Sequence, residues 1–256
     1  MDDRAEWDHN RWARIYEKFE RAYLELPRRL FIEIAQLQAS PPIRRILDIG
    51  CGDGKGLEYL RGRLAHAELV GIDPDRAMVK IARMRLRGRA DVAVASVEDF
   101  PESLGRFDLI LSYMNVHRWA EPVYGLKRVQ AALTDDGMAY IVDVRRDISA
   151  RLREEGLKWL PQENFRAVSA AQIDSGLTIE EMRGRMDEAG ITAYRLLTGM
   201  PWGSGRGAGI AGGRAGRRYG PIGEITNQMA EMSLGRSAKS ISSAQMHVFL
   251  YPQPKC

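Results

Sequence analysis

The run Ile46-Leu47-Asp48-Ile49-Gly50-Cys51-Gly52-Asp53-Gly54 decides the fold of this 256-residue chain. A short apolar run that carries an acid is followed by three glycines at alternate positions. A strand that leaves a parallel sheet and turns sharply into a helix has this pattern, because glycine permits the tight turn and lets the backbone approach a ligand closely. We therefore expect a ligand-binding turn between a strand and a helix at this point of the chain.

The spacing of these glycines argues against two other ligand-binding turns. A dinucleotide fingerprint, G-x-G-x-x-G, that starts at Gly50 requires glycine at position 55, where Lys55 stands. A phosphate-binding P-loop ends in G-K-[ST], and here Gly56 occupies the place of the hydroxyl residue. The sequence therefore disfavours a nicotinamide dehydrogenase and a P-loop nucleotidase.

The form D-x-G-x-G-x-G resembles motif I of the class I S-adenosylmethionine-dependent methyltransferases. A second apolar run, Leu69-Val70-Gly71-Ile72-Asp73, ends in an acid nineteen residues after Gly54. This is close to the ~20 residues that a helix and a second strand occupy before an acid reaches a ribose. A carboxylate there can accept hydrogen bonds from both ribose hydroxyls. The resemblance implies S-adenosyl-L-methionine as the cofactor, and the alternative is a doubly wound domain that binds none.

The resemblance also implies which residues contact this cofactor. They are Asp48, Gly50, Cys51, Gly52 and Gly54 in the first turn, Asp73 and Pro74 after the second strand, Ser96, Val97 and Glu98 after the third, Ser112 after the fourth, and Tyr16 near the N-terminus. Many relatives have Asp where Ser96 stands, so Ser96, Glu98 and Asp99 remain alternatives for recognising the adenine. We expect Cys51 to be a small packing residue rather than a nucleophile.

The segment Ser112-Tyr113-Met114-Asn115-Val116-His117-Arg118-Trp119 is the candidate catalytic loop. It resembles the motif IV region of small-molecule methyltransferases, which often ends in His-Trp or His-His. Of four histidines, His117 is the one on the predicted active-site edge, whereas the others are scattered. A neutral imidazole there could take a proton from a hydroxyl or an amine. The alternative is a histidine packed beneath the cofactor, and Tyr113 is the second candidate, for positioning the substrate.

Apolar strand-like segments alternate regularly with helical ones from residue 43 onward. The predicted strands are 44–49, 68–73, 91–95, 107–112, 138–144, 191–197 and 246–251, the predicted helices are 54–64, 75–88, 121–133, 147–160 and 178–190, and 161–176 is predicted to be loop. This alternation predicts an α/β fold with a parallel sheet and helices on both faces. The resemblance implies a Rossmann-like doubly wound sheet of seven strands, mostly parallel, with the last strand antiparallel.

Two segments lie outside this alternation. Residues 4–38 carry helical periodicity, which Pro27 should interrupt. Residues 1–40 therefore resemble the helical N-terminal cap that many small-molecule methyltransferases fold over the cofactor. Residues 199–240 form a long insertion between strands 6 and 7, rich in Gly and Arg. The insertion predicts a mobile flap or the subunit contact of a homodimer, and a solvated disordered loop is the alternative. The candidate anion-binding residues of the flap are Arg206, Arg214, Arg217 and Arg218.

The chain is predicted to be a single domain of ordinary globular composition, 45% hydrophobic and 28% charged. Within it, residues 43–146 form the cofactor-binding half and residues 147–256 the substrate half. No run approaches the ~20 apolar residues of a membrane span, and the N-terminus lacks an apolar signal core, so we expect a cytoplasmic protein. The two cysteines, Cys51 and Cys256, form neither a disulfide framework nor zinc spacing, and we expect no metal.

Three functions are compatible with the sequence. The first is methyl transfer from S-adenosylmethionine to an oxygen, nitrogen or carbon nucleophile of a small molecule, and the net charge of +4 leaves an anionic substrate open. The second is methylation of a nucleic acid, which the pI of about 9.1 favours. The absence of a [DNS]-P-P-[YFW] motif after strand 4 disfavours it. The third is a non-catalytic protein that only binds S-adenosylmethionine.

Overall fold

The computed structural model describes residues 25–158, 160, 162–198 and 245–253. Seven strands lie within these residues. They are β1 (Arg45–Ile49), β2 (Glu68–Asp73), β3 (Asp91–Val94), β4 (Phe107–Tyr113), β5 (Leu133–Val144), β6 (Tyr194–Thr198) and β7 (Gln245–Leu250). They form one sheet in the order β3-β2-β1-β4-β5-β7-β6.

Seven α-helices connect or flank these strands in the described part of the chain. They are α1 (Glu25–Gln38), α2 (Lys55–Arg63), α3 (Arg76–Leu86), α4 (Pro122–Ala131), α5 (Ala150–Lys158), α6 (Glu163–Ser175) and α7 (Ile179–Glu188), and two short 3₁₀ turns cover Glu102–Leu104 and Val116–Arg118. Pro27, the predicted point of interruption, lies within α1. None of the described helices is long and apolar enough to cross a membrane.

The sheet confirms the predicted Rossmann-like doubly wound topology. The pairs β1–β2, β2–β3, β1–β4 and β4–β5 are parallel, whereas β7 runs antiparallel to both of its neighbours, β5 and β6. The strand order reverses between β1 and β4, so the carboxyl ends of these two strands border the crevice where α/β sheets bind ligands.

Both faces of the sheet are buried, each by its own set of helices. Along β5, Ala139 and Ile141 belong to one apolar cluster, while Tyr140 and Val142 belong to the other. The first cluster includes residues of α4 and α7, and the second includes residues of α1, α2 and α3. A parallel sheet covered on both faces explains why its strands have continuous apolar runs rather than alternating ones.

The prediction that residues 161–176 form a loop is wrong, because most of this segment forms α6. The buried side chains of this helix are Phe165, Gln172 and Ile173, which are seven and eight residues apart and so share one face. This single apolar stripe is too sparse to show as helical periodicity in the sequence. Burial against the rest of the domain therefore stabilises a helix that the local sequence pattern does not predict.

Strand β5 begins earlier than the predicted start at residue 138, and the turn-like residues Asp135-Asp136-Gly137 lie inside it. Its neighbour β4 shifts register between Phe107, which pairs with Leu133, and Leu109, which pairs with Met138. The extra residues of β5 therefore form an irregularity of the bulge kind, and pairing continues on either side. Strand β6 also begins later than predicted, at Tyr194.

Two predicted features fall outside the described residues. These are the part of the N-terminal cap that contains Tyr16 and the Gly/Arg-rich insertion with Arg206, Arg214, Arg217 and Arg218. Both stay predictions.

The sequence Thr178-Ile179-Glu180-Glu181 has the S/T-x-x-E pattern of a capping box, and the structure forms this box at the start of α7. Thr178 Oγ1 accepts a hydrogen bond from the Glu181 N–H at 3.0 Å, and the Glu181 carboxylate accepts one from the Thr178 N–H at 2.8 Å. The guanidinium of Arg146 also bonds to Glu181, and this contact holds the pKa of the carboxyl down to about 2. The two bonds between Thr178 and Glu181 satisfy N–H groups at the start of the helix that would otherwise be unpaired.

Replacing Thr178 with Ala should lower the free energy of unfolding by about 1 kcal/mol, because the Glu181 N–H loses its acceptor. Thr178→Ser keeps the hydroxyl and is the matched control, expected to stay close to the parent protein. Urea denaturation of the three proteins measures the difference. An equal loss in both variants would assign the effect to the lost methyl group instead of the cap.

Candidate functional site

The glycine turn lies at the carboxyl end of β1 and is bonded to the neighbouring strand. The N–H groups of Gly50 and Cys51 both donate to the carbonyl oxygen of Ile72, at 2.8 and 3.0 Å. Gly50, Gly52 and Gly54 have φ values of +72°, +54° and +82°. Only glycine adopts these values without strain, which is the physical reason for the alternating pattern.

Asn115 joins the turn after β1 to the loop after β4. Its amide nitrogen donates to the carbonyl oxygens of Ile49 and Gly50, at 2.9 and 3.3 Å. A Cβ atom on Gly50 would lie 1.9 Å from this nitrogen, so a side chain at position 50 would displace the Asn115 amide, in addition to the strain of the positive φ. Sequence reasoning placed Asn115 in the candidate loop without giving it a role, and no sequence pattern distinguishes it from its neighbours.

Asp73 lies at the carboxyl end of β2, beside the glycine turn, and is largely buried. Its two carboxylate oxygens accept hydrogen bonds from the N–H groups of Gly52 and Asp75, both at 2.9 Å. Burial raises the pKa of Asp73, and these two N–H donors oppose the shift. Each oxygen keeps acceptor capacity beyond these bonds, so the carboxylate can also bind hydroxyl groups.

Asp48 is a buried carboxyl group beside a positive charge from α1. A Cβ atom on Gly56 would lie 3.1 Å from Asp48 Oδ2 and 3.6 Å from Arg28 Cδ, which places these two side chains together at the start of α2. Burial raises the pKa of Asp48 to about 7, with Arg28 opposing the shift and Asp73 adding to it. Sequence reasoning missed Arg28, because its only signal is a position on the apolar-striped helix α1.

The loop after β3 contains the three candidates for recognising an adenine. The Ser96 hydroxyl donates to the Asp99 carboxylate at 2.9 Å and accepts from the Glu98 N–H at 3.2 Å. The Glu98 carboxylate accepts from the Glu121 N–H at 3.2 Å, which fixes it against the start of α4. Asp99 therefore holds the loop in shape, and the Val97 side chain is buried in the core.

The loop after β4 separates the two residues predicted to act on the substrate. The Tyr113 ring lies 5.2 Å from the Phe31 ring, in the cluster beneath α1. Val116, next to His117, belongs to the cluster on the opposite face of the sheet. Ser112 is fully buried, and its hydroxyl has no hydrogen-bond partner among the described residues.

His117 forms a buried pair with Asp143, an acid that sequence reasoning did not select. Asp143 lies near the carboxyl end of β5. Its two oxygens lie 2.7 Å from His117 Nδ1 and 2.7 Å from the His117 N–H. The exposed fractions of the two side chains are 3% and 1%. A charged residue within the apolar run Met138–Val144 is the signal that could have revealed it, because a buried acid requires a partner.

His247, one of the histidines without a role predicted from the sequence, is a buried residue of β7. Its Nδ1 lies 2.7 Å from the Tyr140 hydroxyl, and burial lowers its pKa to about 3. Its pairing with Val142 places it near the same edge of the sheet as Asp143. This histidine is therefore neutral at physiological pH.

The two remaining predictions from the sequence are that Cys51 is a packing residue and that no metal is required. Cys51 is buried, and its sulfur lies 2.9 Å from the position that a Cβ atom on Gly71 would take. Burial raises the pKa of this thiol, which favours the packing interpretation over a nucleophile. Within the described ranges no group of three or more His, Cys, Asp or Glu residues could hold a metal ion.

Comparison with known proteins agrees with this geometry. A family model described as "Methyltransferase domain" matches residues 46–137. The chain is 33% identical over 104 residues to the malonyl-[acyl-carrier protein] O-methyltransferase of Legionella pneumophila, over 40% of this chain and 36% of that protein. It is 33% identical over 92 residues to the trans-aconitate 2-methyltransferase of Acidovorax sp. (strain JS42), over 34% of this chain and 33% of that protein. The chain thus matches about a third of the length of these curated relatives.

A solved structure resembles nearly the whole chain. It is the plantazolicin methyltransferase BpumL in complex with a triazolic desmethylPZN analog and SAH, with a TM-score of 0.70. The sequence identity is 20%, and the match covers 96% of this chain and 92% of that chain. At this identity the likeness is one of fold.

Replacing Asp48 with Asn should change how stability depends on pH. Because the pKa of Asp48 rises from about 4 in the unfolded chain to about 7 in the folded one, the folded protein loses stability as pH rises through this window. The variant cannot ionise there, so its advantage in unfolding free energy should grow between pH 4 and 7, by up to roughly 4 kcal/mol, and then level off. Denaturation of both proteins at several pH values measures this gap. A gap independent of pH would contradict the assigned pKa.

Proposed function

We propose that this chain, which belongs to the class I S-adenosylmethionine-dependent methyltransferase family, moves a methyl group from S-adenosylmethionine to an oxygen, nitrogen or carbon atom of a small molecule. The observation that carries the proposal is the buried Asp73 carboxylate, held by the Gly52 N–H at the crevice where the strand order reverses. A carboxylate in this place suits the two hydroxyls of a ribose.

The residues of the crevice fit the other parts of this cofactor as well. A Cβ atom on Gly52 would meet no atom of the described residues within 4 Å, so these residues leave the backbone of the turn open to a ligand. Once Asp48 is ionised, it and Arg28 place a negative and a positive charge side by side, which matches the ammonium and carboxylate groups of an amino acid. Ser96 and Glu98 are the candidates for the adenine.

The methyl group of S-adenosylmethionine is already activated by its sulfonium, so the protein needs mainly to orient the acceptor and to exclude water. Orientation alone can contribute ~7–11 kcal/mol to lowering a barrier. We assign proton removal from the acceptor to His117, and we leave to Tyr113 a positioning role from the α1 side of the sheet.

The names of the relatives support a small-molecule acceptor. Two of them act, by name, on malonyl-[acyl-carrier protein] and on trans-aconitate. The anionic character of the acceptor, a homodimer and a cytoplasmic location stay predictions for this chain. Methylation of a nucleic acid is the alternative that the basic pI of about 9.1 keeps open.

Replacing Asp73 with Asn should weaken binding of S-adenosylhomocysteine by about 1–3 kcal/mol, because a charged acceptor of buried hydrogen bonds is lost. Asp75→Asn is the matched control, since this residue caps α3 through the N–H groups of Ala77 and Met78, and Asn caps as well as Asp. Isothermal titration calorimetry of the three proteins measures the effect.

The same titration tests the proposed function itself. If the folded parent protein binds neither S-adenosylmethionine nor S-adenosylhomocysteine, the proposed function is wrong. Equal affinity in Asp73→Asn and the parent would remove only the ribose assignment. Binding of mixed RNA that weakens steeply with salt would favour the nucleic-acid alternative.

A further inference from the structure

We infer that Asp143 is a positioning residue, which holds His117 in the tautomer whose Nε2 accepts a proton from the methyl acceptor. The inference rests on the proposed function, because it assigns a role within the same site. It begins from the 2.7 Å contact between Asp143 Oδ1 and His117 Nδ1. An ionised carboxylate has only acceptors, so Nδ1 carries the hydrogen and Nε2 keeps its lone pair.

The second nitrogen of the ring agrees with this tautomer. The Nε–H group of Arg118 donates to His117 Nε2, with the two nitrogens 3.3 Å apart. A guanidinium has donors only, so it can bond to Nε2 only if that atom is an acceptor. Both neighbours of the imidazole therefore select the same neutral tautomer.

Asp143 is itself fixed by three N–H groups. One oxygen accepts from the His117 backbone at 2.7 Å, and the other accepts from the Val144 backbone at 2.8 Å in addition to the ring. The carboxylate therefore binds both the backbone and the ring of His117 and joins the end of β5 to the 3₁₀ turn after β4. This arrangement leaves the imidazole one orientation.

Arg118 links the acceptor nitrogen of His117 to the surroundings of the proposed cofactor site. Arg118, which covers Nε2, is exposed and close enough to Asp73 to lower the pKa of that carboxyl group. The Arg118 guanidinium thus contacts His117 and also acts electrostatically on Asp73, the residue assigned to the ribose. Displacement of this flexible side chain would let an acceptor reach Nε2.

The proton balance limits the acceptor that such a base serves. The acceptor atom uses a lone pair to form the new bond to the methyl carbon, and the carbon–sulfur bond breaks with its electron pair on sulfur. A hydroxyl or an amine then loses one proton, which His117 Nε2 takes, whereas a carboxylate has no proton to lose. A hydroxyl or amine acceptor is therefore the class that this pair serves.

Nuclear magnetic resonance of protein labelled with ¹⁵N-histidine tests the tautomer without any acceptor. The full-length chain is measured with S-adenosylhomocysteine added, and His117→Ala identifies the His117 signals. The parent protein should show Nδ1 as the protonated nitrogen and Nε2 as the unprotonated one. In Asp143→Asn a single amide oxygen faces three N–H groups, so the Nδ1–H form should no longer be the only neutral species.

Two controls separate positioning from a structural role. The signals of His247, which is bonded to Tyr140, should stay unchanged in Asp143→Asn. Asp108→Asn removes an acid that accepts the N–H groups of Arg44 and Arg45, and it should leave the His117 tautomer unchanged. A His117 tautomer that is Nε2–H in the parent, or identical in the parent and Asp143→Asn, would overturn the inference.

Methyl transfer from labelled S-adenosylmethionine to a panel of phenols, alcohols, amines and carboxylates gives a second readout. For a hydroxyl or amine acceptor, His117→Ala should lower kcat by ~10²–10⁴, and Asp143→Asn should lower it toward that value with KM for S-adenosylmethionine little changed. The double variant should be no slower than His117→Ala, because the two residues act as one unit. Transfer to a carboxylate at a rate unaffected by either substitution would overturn the assignment of the acceptor class. Failure of the proposed function itself appears separately, as absent binding in calorimetry.

Discussion

The contact between Gly50 and the Asn115 amide is the constraint on which the rest of the site depends. The amide bonds to the carbonyl oxygens of Ile49 and Gly50, and it occupies the space that a side chain at position 50 would need. The exits of β1 and β4 are thereby held together where the strand order reverses. The geometry of the turn then directs the Gly52 N–H at Asp73, beside the point where α/β sheets bind ligands.

Buried charge is the second property of the site, and it lowers the stability of the folded protein when no ligand is bound. Asp48 and Asp73 are both largely buried, and burial raises the pKa of each carboxyl group. Such groups destabilise a fold unless a partner offsets their desolvation. Arg28 supplies part of the compensation for Asp48, and the ammonium group of an amino-acid ligand would supply more. The same residues therefore reduce the stability of the free protein and favour a ligand of complementary charge.

The two faces of the sheet have different tasks in this arrangement. On the face beneath α1, the Arg28 guanidinium lies 5.9 Å from the Tyr113 ring, close to Asp48. On the face that carries α4 and α7, His117 and Asp143 form the buried pair assigned to proton transfer. The match with a methyltransferase domain ends at residue 137, before Asp143. The acid that orients His117 thus lies beyond the part of the chain that the family model covers.

The sequence by itself determined the fold class, the glycine turn, the place of Asp73 at the end of a strand, and the capping box at Thr178. Each of these features rests on local spacing or on a backbone conformation that only certain residues adopt. The sequence did not reveal α6, since a single sparse apolar stripe becomes helical only through burial. Only the tertiary structure paired Asp143 with His117 and brought Arg28 to Asp48. These partners are far apart in the chain, and the packing of helices and strands, which no local pattern encodes, decides their contacts.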